Sequence, residues 1–277
     1  MAADTTTAMP TAPAVTEGAE PVLVFDHVSV AFGPERVLDD VSFQLQRGDT
    51  KILLGEAGAG KSVLLKLALG LLRPSGGRVM VLGQEVSALP DDALFELRRK
   101  IGIAFQESAL FDSLTVRDNV GYRMMEEGRE TDEAIEATVR KTLSFVELEP
   151  AIEKMPVELS GGMQHRVSIA RALATQPEIM LYDSPTGGLD PVTATTIVEL
   201  IMKLRDQNKV TSLLVTHRLQ DGFLLATHVW EDGHLAPAPP EATHTSFLLL
   251  RDRKVFFDGS AHDLQHHPDP YVRSFLD

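Results

Sequence analysis

The sequence predicts an α/β fold around a largely parallel sheet, and three observations carry that expectation. A short apolar run, Thr50–Leu54, passes through the glycine-rich GEAGAGKS at 55–62 into an apolar helix over Lys61–Leu71, so strand, glycine loop and helix follow in immediate succession. Ile179–Tyr182 and Ser212–Val215 are further short apolar runs, of the kind that a parallel sheet covered on both faces buries. A length of 277 residues is long for one domain and short for two, which fits one core with additions.

The elements follow in order. Residues 1–20, MAADTTTAMPTAPAVTEGAE, are rich in Ala, Thr and Pro and lack both a basic and an apolar leader region, so they read as a disordered tail and not as a signal peptide. Val22–Val30 reads as a strand, GPER as a turn and VLDDVSFQLQ as a second strand region closed by Arg47-Gly48-Asp49, together an antiparallel β layer. The helix from Lys61 is expected to stop at Arg73-Pro74-Ser75-Gly76-Gly77. Asp91–Arg99 predicts a short helix, and Ile101–Phe105 a strand that delivers Gln106. Ile135, Val139, Leu143 and Val146 recur at helical spacing in an acidic segment, whose charges between Glu126 and Glu136 read as a solvated face. Ser160 is placed as the N-cap of a helix with Met163, Val167, Ala170 and Leu173 along one side. EDGHLAPAPPEATHT, between Trp230 and Thr245, reads as a loop joining two strands, and DPYVRSFLD as a closing helix.

Composition narrows the function classes. The formal charge of −14 argues against broad electrostatic capture of nucleic acid or anionic lipid. With no cysteine, disulfides, thiolate metal sites and cysteine nucleophiles are excluded. The apolar share of 43% is ordinary, and no run approaches the roughly 18 consecutive apolar residues that span a bilayer, so attachment to a membrane requires a partner.

GEAGAGKS fits G-x-x-x-x-G-K-[ST] in full. Phosphates need many donors and a focused positive field, and a glycine loop at a helix N-terminus supplies backbone N–H groups there. Gly55, Glu56, Ala57, Gly58, Ala59 and Gly60 form the expected ATP cradle; Lys61 reaches the β/γ-phosphates and Ser62 ligates Mg²⁺. Glu56 is unusual company for a phosphate, so its side chain is expected to point away. Asp183, ending IMLYD, is the expected Mg²⁺ partner, and the pair completes a P-loop NTPase site.

LSGGMQHR, followed by that strand and then by SPTGGLDP, resembles the signature and D-loop of the ATP-binding cassette family, with Met163 in place of the more usual glutamine. The resemblance covers nearly the whole chain after the tail. It implies a RecA-like parallel-sheet core, an antiparallel β layer and an α-helical signature subdomain at about 107–175 within a cassette at 21–260, followed by a tail helix at 261–277. It further implies that Ser160, Gly161 and Gly162 meet the γ-phosphate held by a second cassette, identical or different, so that ATP is sandwiched. Phe32 stands where an aromatic stacks on adenine, with a place in the β-layer core as the other reading. Gln106 resembles the glutamine that senses Mg²⁺ and water, Asp190 belongs to the D-loop, and His217 resembles the switch histidine. His266 and His267 lack metal spacing and read as solvent-facing.

Ser184 departs from the family, which places Glu after the Mg²⁺ aspartate. A serine hydroxyl is no general base near neutral pH, and losing one costs about 10²–10⁴ in rate. Three accounts stand open: slow hydrolysis through His217 and substrate-assisted proton transfer, pairing with an intact cassette, or a carboxylate such as Glu56 acting across the dimer. ESALFDSLTVRDNVGYRM after Gln106 is similar to the Mla and Mce-associated ATPases of phospholipid trafficking in the Gram-negative envelope. That similarity implies an ATPase held on the cytoplasmic face of the inner membrane by an Mla-type permease with an associated lipid-binding protein. DPYVRSFLD resembles the tail of the same group, either as a dimer contact or as a helix on its own core. Outside transport, a nucleotide-gated scaffold with little turnover is the competing reading; no long coiled coil marks a DNA-repair relative, and no second cassette a ribosomal one.

Overall fold

Alternating apolar residues from Pro21 onward form a long antiparallel hairpin, β1 (Pro21–Phe32) and β2 (Glu35–Gln46), whose inner rings Phe25 and Phe43 stack at 4.6 Å. The structure, a computed structural model, describes residues 21–276, so the tail expected at 1–20 lies outside the described residues. The GPER turn is shorter than expected. Glu35 and Arg36 pair with Phe32 and Ala31, leaving Gly33 and Pro34 as the connection.

β3 (Thr50–Gly55) is buried throughout and leads into α1 (Lys61–Ala68). This helix ends earlier than the expected Leu71, because Gly70 closes it in the left-handed region: Leu71 N–H bonds the Lys66 carbonyl at 2.8 Å and Gly70 N–H that of Leu67 at 2.9 Å. β4 (Gly76–Val81) and β5 (Gln84–Glu85) complete a four-stranded antiparallel sheet in the order β2-β1-β4-β5. α2 (Asp91–Arg99) and β6 (Ile101–Ala104) follow as expected.

α3 (Val116–Glu127), not foreseen from the sequence, and α4 (Asp132–Phe145) pack as a helical layer capped by Thr115 and Thr131. One acid of the presumed solvated face is not solvated. Glu127 is almost buried, bridging Arg99 at 2.8 Å and Arg123 at 3.0 Å, because α2 closes over that end of α3. α5 (Gly161–Leu173) buries more of its surface than one stripe, His165 and Ser168 included.

β7 (Ile179–Asp183), α6 (Pro191–Asn208), β8 (Thr211–Val215) and α7 (Leu219–Thr227) continue the α/β alternation. The segment expected as a loop after Trp230 is instead a hairpin, β9 (His228–Glu231) with β10 (His234–Pro237), and a short helix α8 (Pro240–Thr243). Asp232 and Gly233, both at positive φ, make its tight turn, the Asp-Gly signal that favours hairpins. β11 (Thr245–Arg251) and β12 (Lys254–Gly259) then pair on the far side of β3, and α9 (Ala261–Gln265) and α10 (Pro270–Arg273) end the fold. The closing helix is one turn, not the full DPYVRSFLD; its Val272 is completely buried in this chain's own core and Tyr271 Oη donates to the Leu250 carbonyl at 3.3 Å. His267 is half-buried against Phe256 and Phe257, while His266 is exposed.

The six-stranded sheet runs β12-β11-β3-β8-β7-β6, parallel from β11 to β6. Strand period explains its unbroken apolar runs. Ile52, Tyr182, Leu214 and Leu249 share a core with α3–α7, whereas Leu53, Leu181, Leu213 and Leu248 share one with α1, α2 and the antiparallel layer. No helix among the described residues is long and apolar enough to cross a membrane.

Arg205 fastens the added hairpin to this core. Its buried guanidinium donates to the carbonyls of Leu225 and His228 and to Thr245 Oγ1, while Asp206 accepts from Trp230 N–H at 2.6 Å. Arg205→Met keeps the volume but takes the guanidinium donor from the His228 carbonyl and the Asp206 carboxylate, at about 1–3 kcal/mol each, while Thr245 Oγ1 still donates to the Leu225 carbonyl at 3.3 Å. A loss of about 3 kcal/mol in urea unfolding is expected, against near-neutrality if the hairpin were merely draped on the surface.

Candidate functional site

Four neighbouring parallel strands deliver the candidate residues to one edge. β3 ends in the glycine loop, β8 in His217, β7 in Asp183 and Ser184, and β6 leads to Gln106. With neighbouring strands about 4.8 Å apart, three intervals set these groups along roughly 15 Å of the carboxyl edge, where open α/β sheets hold ligands.

Within the loop, Gly58 and Gly60 lie at φ 78 and 94, which turns successive N–H groups toward one concavity. A Cβ on Gly60 would lie 2.7 Å from Leu38 Cδ2, so β2 presses the loop from behind, while a Cβ on Gly58 would enter open space. Among the described residues, the N–H groups of Gly58, Gly60, Lys61 and Ser62 find no backbone or side-chain acceptor, and they sit at the N-terminus of α1. Ala57 and Ala59 fill the loop between them; Glu56 is exposed. Lys61 is only 6% exposed, and its Nζ donates to the carbonyls of Gly55 at 2.8 Å and Glu56 at 2.7 Å. Burial pulls this ammonium below the usual lysine range, against the attraction of Asp183 and Glu56. The concavity thus suits a polyanion.

No cluster of three or more His, Cys, Asp or Glu among the described residues makes a metal cage. Ser62 and half-buried Asp183 offer one hydroxyl and one carboxylate, the hard-oxygen set that suits Mg²⁺ sharing phosphate oxygens and water. Ser184 is 4% exposed at φ 49; its N–H donates to Val215 O at 2.9 Å and its carbonyl accepts from Gly187 N–H at 2.9 Å. Gln106 rests on Gly187, where a Cβ would lie 3.1 Å from Gln106 Cγ. His217 is exposed and its imidazole is pulled below the ordinary value by partial burial and then by Lys61, with Asp183 opposing.

A second group forms apart from the first. Ser160 caps α5, accepting from Met163 N–H at 3.4 Å, and Asp190 caps α6, accepting from Val192 and Thr193 N–H at 3.1 Å each. Thr193 holds the Asp190 carboxyl below its usual range. Gly161 is exposed, whereas Gly162 is buried where a Cβ would collide with Thr193 Cγ2, so the two helix N-termini abut. Among the described residues no hydrogen bond or ion pair joins Ser160–Gly162 to the glycine loop. Phe32, at the hairpin tip, is 50% exposed and not a core residue.

Two supports carry no local signal in the sequence. Thr186 Oγ1 donates to buried Asp221 at 2.5 Å, tying the loop before Asp190 to the first turn of α7 after His217, and Arg218 pairs with the same carboxylate at 3.4 Å. His165 donates through Nε2 to the Gln106 carbonyl at 2.8 Å. Both pairs are distant in sequence, so only the folded chain shows them.

A family described as "ABC transporter" matches residues 38–187. The chain is 34% identical over 250 residues to the intermembrane phospholipid transport system ATP-binding protein MlaF of Escherichia coli K12, covering 90% of this chain and 86% of that protein. It is 35% identical to the probable ribonucleotide transport ATP-binding protein mkl of Mycobacterium leprae, over 89% of this chain and 66% of that one. Methionine import ATP-binding protein MetN of Cutibacterium acnes is 40% identical over 76% of this chain and 61% of that protein. Among solved structures, the dimeric post-hydrolysis ATP-binding cassette MJ0796 with ADP and Pi matches at TM-score 0.71 and 29% identity, covering 86% of this chain and 98% of that one.

The His217 environment is open to titration. Its lowered pKa means that the folded chain holds fewer protons than the unfolded one between that value and 6.5, so this group's contribution to stability is complete above 6.5 and is lost as pH falls through the lowered value. NMR titration should place its midpoint below 6.5, and Lys61→Met, which removes a repelling charge, should raise it. An unchanged or lower midpoint in that variant would contradict the arrangement.

Proposed function

The chain belongs to the ABC transporter family as an ATP-binding subunit, and on that premise we propose that it drives phospholipid movement through an Mla-type permease by closing against a second cassette around ATP. What supports ATP as the driver is the alignment of the glycine loop, Asp183, His217 and Gln106 along one strand edge. Relatives named for phospholipid, ribonucleotide and methionine transport are 34%, 35% and 40% identical, so overall identity does not choose the cargo. The choice rests on ESALFDSLTVRDNVGYRM together with the two-ended coverage of the phospholipid relative. That segment follows Gln106 directly, which suits the contact with the permease, and the permease in turn keeps the chain on the cytoplasmic face of the membrane.

In this reading the free N–H groups of the loop and Lys61 gather the β- and γ-phosphates, and Phe32 stacks on adenine from the hairpin tip. Ser62 and Asp183 would hold Mg²⁺, with Gln106 beside them, and the ion would neutralise phosphate charge there. Ser160, Gly161 and Gly162 face the γ-phosphate carried by the opposing chain, again through a helix N-terminus, and Asp190 sits at the crossing. ATP therefore binds the closed pair better than the open pair, and hydrolysis or release resets it. The cassette comprises residues 21–260, its signature subdomain about 107–175, and residues 261–277 form a tail seated on the same chain through Val272.

Ser184 sets the pace. With no carboxylate after Asp183, His217, whose pKa partial burial and then Lys61 hold below 6.5, is the preferred proton acceptor in this reading, aided by the phosphate itself. Exposed Glu56 and a partner cassette that carries the missing Glu are the competing routes, and a clamp without turnover is the second reading that Ser184 favours. Phosphate release by the chain assembled with its permease should run about 10²–10⁴ below an intact cassette, and Ser184→Glu should restore much of that. Turnover at the intact rate in the unaltered chain would defeat the slow-site reading; no phosphate from either protein would favour the clamp.

A further inference from the structure

The turn after Gln106 is unusual in its backbone. Ser108 and Ala109, neither of them glycine, both lie in the left-handed region, at φ 59 and 48. Such a pair persists where the surroundings over-determine it. Here the surroundings are side chains of α5. His165 Nε2 donates to the Gln106 carbonyl at 2.8 Å, and Ser108 Oγ lies 3.3 Å from His165 Nδ1. Arg171 donates to the carbonyls of Ala109 at 2.7 Å and Ser108 at 3.2 Å. Three of the four carbonyls from Gln106 to Ala109, all but that of Glu107, are thus held by one helix.

The other end of that helix is Ser160–Gly161, and His165 Nδ1 lies 2.9 Å from the Gly161 carbonyl. Arg171 also reaches outward, 5.8 Å from the centre of the Phe111 ring. The backbone of Phe111 is pinned in turn by buried Asn119, whose side chain accepts from Phe111 N–H at 2.8 Å and donates to Phe111 O at 3.1 Å. The segment next to Gln106, the signature end of α5 and the loop around Phe111 therefore share one set of fastenings.

We propose that His165 and Arg171 are positioning residues which lock the Gln106–Ala109 turn to α5, so that the signature end of the helix moves with Gln106 and cannot close on a partner without it. The inference rests on the ATP-sandwich reading above. It assigns these two side chains no contact with ATP. Their loss leaves the glycine loop intact and weakens the transmission from nucleotide to signature.

The test separates ATP binding from ATP-driven pairing in the full chain with Mg²⁺. ATP affinity is read at a protein concentration too low for pairing, and pairing by sedimentation velocity at saturating ATP. His165→Leu is expected to keep ATP affinity within about threefold and to weaken pairing by about tenfold or more, the loss of roughly one buried hydrogen bond. His165→Gln, which offers an amide N–H to the same carbonyl, should recover pairing to within about threefold of the unaltered chain. Should His165→Leu fail to fold, Arg171→Lys carries the same expectation, since it keeps the charge and loses the forked geometry. Normal pairing in His165→Leu, equal loss in the Leu and Gln variants, or a matching loss of ATP affinity would each overturn the proposal. Absence of pairing in the unaltered chain would instead overturn the sandwich reading.

Discussion

Burial of both faces of the parallel sheet is the constraint on which the rest of this molecule depends. Alternate residues of β3, β7, β8 and β11 feed two separate apolar cores, one under α3–α7 and one shared with α1, α2 and the antiparallel layer. Polar chemistry is thereby driven to the strand ends, and the strand order β3-β8-β7-β6 decides which groups meet there. The glycine loop, His217, Asp183 and Gln106 come from distant parts of the chain and become neighbours for that reason alone. Leu38 carries the constraint into the loop itself, since the β layer leaves no room for a side chain at Gly60.

At that edge the electrostatics are uneven. Lys61 is desolvated and bound to loop carbonyls, His217 is held toward its neutral form, and Asp183 is the carboxylate that both of them feel. The position after Asp183 is locked by backbone bonds to Val215 and Gly187, whatever side chain it bears. Ser184 is therefore held in place by its backbone, and in the proposed function its side chain bears on the reset of the closed state more than on its formation. The fastening of the Gln106 turn by His165 and Arg171 belongs to the same picture, because it joins a rigid edge to a helix that must meet another chain.

Much of this was readable in the residues, and the exceptions have physical causes. GEAGAGKS, the buried strands and the Asp91–Arg99 helix stand where expected, since local glycine, apolar and capping signals decide them. The apolar run beyond Gly70 suggests a longer α1, but the left-handed closure at Gly70 outweighs it. The prolines around β9 and β10 suggest a loop, but the Asp-Gly turn and the anchorage from Arg205 and Asp206 of α6 make a hairpin. The acidic neighbours of Glu127 suggest a solvated side chain, but its partner Arg99 comes from a different helix. In the candidate site, the groups along the strand edge are legible as motifs, while the supports His165, Arg171 and the Thr186–Asp221 pair are not, because they act between segments 35 or more residues apart.

A chain that closes around ATP and reopens slowly keeps its nucleotide. The most direct measurement is the identity and amount of nucleotide that stays with the paired species after rapid gel filtration from Mg²⁺ and ATP. About one nucleotide per chain, recovered mainly as ATP, is expected. A paired species carrying mainly ADP would contradict the slow site, and nucleotide retained only by single chains would contradict the sandwich.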